Sequence, residues 1–83
     1  MSEHPVVCVV DARGLHCPMP IVKVGRQLKT LAAGQVVKVL VSDRASRTDF
    51  PAWVEDTGHE LIDSLTEPDG TLAFYVRKGA TQE

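Results

Sequence analysis

Apolar residues fall into six clusters along the chain, and the spacing within them changes from one cluster to the next. Residues 5–10 form a short β-branched run closed by Asp11, which predicts a strand. Gly14 breaks the chain. From Pro18 the period becomes three and four: Ile21, Val24 or Gly25, Leu28 and Leu31 with Ala32 make one apolar helix face, and Gly34 stops the helix. Val36, Val37, Val39, Leu40 and Val41 are almost continuously apolar, the pattern of a central strand covered by helices on at least one face. Strand, helix and strand in that order predict a right-handed crossover between parallel strands. Ser46 followed by Asp49 resembles a helix start, whereas Pro51 is costly deep inside a helix. A second helix is therefore predicted from Ser46 or Asp49 to Thr57, with Phe50, Trp53 and Val54 buried and Gly58 as its stop. Leu61, Ile62 and Leu65 mark a third strand. In residues 71–77, Leu72, Phe74 and Val76 alternate with Ala73, Tyr75 and Arg77 as a fourth. Glu67, Pro68, Asp69 and Gly70 form a tight turn, so the last two strands are a hairpin.

The order βαβαββ predicts an α/β (α+β) two-layer sandwich, with two helices packed on one face of a four-stranded mixed sheet. The other sheet face would lack a helical cover, and a solvated face with a few exposed apolar side chains is favoured over a partner surface. With 83 residues, 43% of them apolar and 24% charged, the chain is expected to form one domain over residues 1–83. Its apolar runs are far shorter than the roughly 20 residues that span a bilayer, so no membrane segment is expected. Glu3 and Asp11 interrupt any secretory pattern, which makes the cytoplasm the expected compartment.

A net charge of −2 hides an asymmetry. Up to Arg47 there are seven basic residues against three acidic ones; beyond it, eight acids face Arg77 and Lys78. Tight direct binding of nucleic acid is not expected from this balance, although a local basic face in the first half is. Lys23, Arg26 and Lys29 recur every three residues along the first helix. They read either as an ordinary solvated face or as a strip for an acidic partner or an anionic sulfur compound.

Two cysteines cannot make a disulfide framework, so free thiols are expected in a reducing compartment. Cys8 alternates with Val6 and Val10 in a strand and reads as buried and inert. Cys17 differs. Pro18 and Pro20 fall within one helical turn, which is tolerated at a helix start because the first N–H groups have no intrahelical acceptor. Pro18 also holds the residue before it away from α geometry, so Cys17 is expected at the helix entrance. The helix dipole there moves a thiol pKa from about 8.5 to about 8, and Arg13, His16 or Lys23 would supply any further shift. Such moderate activation suits a sulfur that both attacks and departs. The competing reading is a small buried hydrophobe, disfavoured because loop-to-helix positions are usually at the surface. His4, Cys8, His16, Cys17 and His59 lack the paired spacing of a metal module, and no metal or other cofactor is expected. His59 reads as a residue at the start of a strand.

The segment Asp11-Ala12-Arg13-Gly14-Leu15-His16-Cys17-Pro18-Met19-Pro20 resembles the Cys-Pro-x-Pro signature of the TusA/SirA family of small sulfur-carrier proteins. The resemblance extends over nearly the whole chain: Asp49 to Trp53, Gly58 to Leu61 and Arg77 to Gly79 resemble later landmarks of the family. It implies the same βαβαββ fold and a persulfide carried on Cys17. Pro18 and Pro20 would brace it, and Gly14 and Leu15 would form the turn that presents it. Arg13, His16, Met19, Lys23 and Arg26 are candidates for contact with a partner or an anion. The resemblance implies a donor, either a cysteine desulfurase or a rhodanese, and an acceptor carrier protein. Destinations in the family include tRNA 2-thiouridine formation, molybdenum cofactor assembly and dissimilatory sulfur metabolism. Some relatives carry a second cysteine where this chain has Val54, so a mechanism requiring two thiols there is not implied. The expected function is thus a sulfur relay through a persulfide-carrying sulfurtransferase. The alternative is a non-enzymatic regulatory or RNA-associated module in which Cys17 is incidental; a thiol peroxidase lacks an evident resolving thiol.

Overall fold

The computed structural model describes residues 6–16 and 18–79. Its elements run β1 (Val6–Asp11), α1 (Met19–Leu28), β2 (Val36–Val41), α2 (Ser46–Asp56), β3 (Glu60–Thr66) and β4 (Leu72–Arg77). The sheet order is β1-β2-β4-β3, with β1 and β2 parallel and the other two pairings antiparallel. Two helices pack on this four-stranded mixed sheet, as the order of apolar clusters predicted. No helix of the described residues is long and apolar enough to cross a membrane.

Period-two alternation explains which side of the sheet is covered. Val37, Val39 and Val41 of β2 and Leu72, Phe74 and Val76 of β4 join Val10 in one buried cluster with Val24 and Leu28 of α1 and Phe50 and Val54 of α2. Phe50 anchors it, fully buried and 4.9 Å from the Phe74 ring centroid. Burying a side chain of that size stabilises by about 1.5–3 kcal/mol relative to leaving it in water. The uncovered face carries exposed Val7, Val9 and Leu65. There Lys38 lies over the Tyr75 ring and Arg77 pairs with Glu60 at 2.7 Å.

Three expectations change. First, α1 ends at Leu28, so Leu31 with Ala32 lies beyond it. Thr30 and Leu31 turn back on the carbonyls of Gln27 and Leu28, and Leu31 still packs against the core while Ala32 is exposed. Second, Ser46 is not a cap. Ala45 holds the cap position, and the Ser46 side chain, one residue inside the helix, is buried with its hydroxyl unpartnered among the described residues. Pro51 is inside α2 all the same, and the turn ahead of it is tightened by three-residue bonds from Ser46 to Asp43, Arg47 to Arg44 and Thr48 to Ala45. Third, Cys8 is half-buried rather than sealed: β1 is an edge strand, and Gln27 Nε2 donates to its Sγ at 3.4 Å.

Candidate functional site

Because β1 and β2 are parallel, the loops that leave their carboxyl ends meet at one end of the sheet, the place where open α/β sheets build sites. The Ala12 N–H donates to Leu40 O at 2.8 Å and carries the strand pairing one residue past β1. Asp11 and Arg13 then close on each other through two hydrogen bonds of 2.8 Å. The Arg13 guanidinium holds the Asp11 carboxyl well below the usual carboxylate range. Gly14 turns the chain with φ +83°, a conformation that a side chain would strain, and its N–H donates to Ser42 Oγ at 2.9 Å. His16 Nδ1 is 3.7 Å from an Asp43 carboxylate oxygen. The loop after β2 therefore braces the loop after β1 at two points.

Pro18 is the cap residue of α1, and the helix begins at Met19, so that Pro20 falls in its first turn. Pro20 is buried there, and the Val22 N–H donates to Pro18 O at 3.0 Å. No acid occupies that turn, so nothing there offsets the positive end of the helix dipole. Cys17 and His4 lie outside the described residues. The neighbours of Cys17 in the chain, His16 and Pro18, are both exposed.

Alongside α1 runs a groove of about 470 Å³ whose lining includes apolar Leu15, Met19 and Val22 and the cations Lys23 and Arg26. Met19 is 50% exposed at its edge. Lys23 Nζ donates to Asp11 O at 2.7 Å and ties the helix to the end of β1. Of the residues singled out from the sequence, Leu15, Met19, Lys23 and Arg26 are thus brought together. Arg13 is not: it lines a different cleft of about 300 Å³ with Lys38, Glu67 and Asp69. His16 faces Asp43, and Lys29 caps the far end of α1. Sequence reasoning missed Ser42 and Asp43, whose signal is their place directly after a central strand, where a parallel sheet gathers its loops.

His59 sits just before β3, as expected, and its Nδ1 accepts the Gly79 N–H at 2.9 Å. Burial, with Lys78 nearby, pushes its pKa down. Among the described residues no group of three or more His, Cys, Asp or Glu side chains is arranged to hold a metal ion.

The model of the family "Sulfurtransferase TusA" matches residues 9–78. The sulfur carrier protein TusA of Pseudomonas paraeruginosa is 38% identical over 77 residues, covering 93% of this chain and 96% of its own length. YrkF of Bacillus subtilis, named for a sulfur-carrier role, is 46% identical over 72 residues; these are 86% of this chain and 38% of YrkF, so the chain spans well under half of that protein. Among solved structures, a SirA-like protein from Desulfitobacterium hafniense superposes with a TM-score of 0.78 at 30% identity, covering 88% of this chain and 99% of that one.

Proposed function

Given that the chain belongs to the sulfurtransferase TusA family, we propose that it is a sulfur carrier in which Cys17 takes up one sulfane sulfur atom and hands it to an acceptor thiol. The observation that carries this reading is the setting of the cysteine in the chain. In the sequence it lies between His16 and Pro18, both exposed, and just ahead of a helix whose first turn holds no acid; Leu15 before it and Met19, Val22, Lys23 and Arg26 after it line a groove of mixed apolar and cationic character. Each feature favours a thiolate that another protein can reach.

The chemistry is two thiol exchanges. The Cys17 thiolate attacks the terminal sulfur of a donor persulfide; a sulfur–sulfur bond forms on Cys17, the donor's sulfur–sulfur bond breaks, and the donor cysteine departs as a thiolate. The terminal sulfur keeps its proton, so nothing is oxidised or reduced overall. An acceptor thiolate then attacks that same terminal sulfur, and Cys17 leaves as a thiolate. Both halves need Cys17 to be a fair nucleophile and a fair leaving group, which moderate activation provides. The donor would be a cysteine desulfurase or a rhodanese and the acceptor a second relay protein, with the groove lined by Met19, Val22, Lys23 and Arg26 as the surface offered to them.

Incubation with a cysteine desulfurase and cysteine, or with thiosulfate or tetrathionate, tests this by intact-mass measurement. The wild type should gain a sulfur adduct that reductant removes, and Cys17→Ser should gain none. An unmodified wild type, or equal gain by Cys17→Ser, overturns it. The same variant separates the relay from a binding module, whose partner affinity it would leave unchanged.

A further inference from the structure

We propose that the outer edge of β1 is a strand-addition site for a short, extended segment of a partner protein in which acidic and apolar residues alternate. This goes beyond sulfur carriage, because it concerns how a partner is held and stands whatever Cys17 carries.

The edge is defined by register. β1 lies at the margin of the sheet, and the Ala12 N–H bonds to Leu40 O, so the backbone groups of Val10 and Ala12 point toward β2. Those of Val9 and Asp11, one residue out of phase, point away from the sheet. Lys23 Nζ occupies the Asp11 carbonyl; no other partner is found for these outward groups among the described residues. The register shift between Val6 and Cys8 closes the site at one end, and the Lys23 clasp closes it at the other. The remaining stretch is short and uncharged at its centre. Its counterpart at the opposite margin, β3, carries Glu60 and Asp63, the kind of charge by which proteins protect an edge.

What would fit follows from the side chains above and below. An added strand would lie about 4.8 Å beyond β1, with its residues alternating between the two faces. On the helix side they would meet the flank of α1, where Lys23 and Arg26 share a groove with Met19 and Val22 and Lys23 reaches the end of β1. On the open side they would lie beside Val7, 48% exposed, and Val9, 56% exposed, with Lys38 in register with Val9. The Asp11 carboxylate is already held by Arg13, so the unanswered charge around the edge is positive. Carboxylates toward α1 and β-branched side chains toward the open face match it. A second copy does not: its β1, Val-Val-Cys-Val-Val-Asp, brings no acid to the centre and would set a second Lys23 and Arg26 against the first.

The probe is a short blocked peptide alternating valine and glutamate, titrated into the isotope-labelled full chain. The Val9 and Asp11 amides should shift and become protected from hydrogen exchange. A valine–lysine peptide should bind at least about tenfold more weakly. Methylation of the peptide's pairing amides, which leaves the protein untouched, should abolish binding. Val9→Pro should do the same, because proline is tolerated where the N–H faces outward, while sulfur loading of Cys17 from thiosulfate stays at the wild-type level. The proposal is overturned if no peptide binds, if binding ignores amide methylation or charge sign, or if the shifts stay on α1. It is equally overturned if the Val9 and Asp11 amides are already protected in the chain alone, or if the chain self-associates through this edge. Loss of thiosulfate loading in the wild type would instead count against sulfur carriage and leave the edge untouched.

Discussion

The two ends of α1 are built on opposite plans. At its start, Gly14 rests on Ser42, His16 faces Asp43, and Leu15 and Met19 stay partly in solvent. At its finish, Lys78 Nζ donates to Leu28 O at 2.6 Å and Leu31 O at 3.0 Å, placing a cation on the negative end of the helix dipole. The Lys78 backbone pairs with Gly34 and Gln35, and Gly79 then bonds to His59. A few exposed polar contacts hold the first end; half-buried backbone and a charge clamp the second. Under the proposed relay, the end that would receive a donor or acceptor is held lightly, and the tighter contacts lie at the other end.

If that contrast is correct, damage at the clamped end costs stability and spares sulfur loading, whereas damage at the open end does the reverse. The largest effect is expected from Gly79→Ala. A Cβ there would collide with Gly58 O, and backbone cannot yield as a flexible side chain can, so a loss of about 3 kcal/mol is expected in chemical denaturation. Lys78→Met should follow at about 2 kcal/mol, through loss of both carbonyl contacts. Hydrogen exchange should then speed up in the last turn of α1 and remain slow in its first turn. Ser42→Ala should cost about 0.5 kcal/mol, since the Gly14 N–H it deserts is exposed and water can replace it, yet it should slow sulfur loading of Cys17 more than Lys78→Met does.

The smallest expected effect is a pH dependence at the clamped end. His59 must be neutral at Nδ1 to accept the Gly79 N–H, and its pKa in the folded chain lies below the ordinary value of about 6.5. As pH falls through that value the unfolded chain takes up the proton first, so stability is complete above it and declines below it. Denaturation midpoints measured from pH 7.5 to 5 should show this decline. His59→Asn, which retains an acceptor without a titrating ring, should flatten it.

Much of the fold was legible because burial and periodicity have one cause. Leu72, Phe74 and Val76 alternate since one side of β4 faces the helices, and the continuous apolar run of β2 marks its central place. The turn at Glu67 to Gly70 was equally plain, and the Gly70 N–H bonds back to Glu67 O at 2.9 Å. The candidate site was legible in its residue types and less so in its grouping. Leu15, Met19, Lys23 and Arg26 share a groove through helical spacing, whereas Arg13 stands near them in sequence and turns to another cleft because Asp11 captures it. Ser46 looked like a cap by identity, but a preceding turn moved it into the helix.

Local pattern alone settles the kinds of element, their order and the faces they bury, since each depends on neighbours within a turn or a few strand residues. It also marks Cys17 by its two prolines. The partners of single polar groups were decided elsewhere: Ser42 reaches Gly14 across 28 positions, and Lys78 reaches Leu28 across 50. Those meetings follow from strand order, with β1 parallel to β2 and β4 between β2 and β3, and no periodicity in the chain encodes which loops a sheet will bring together.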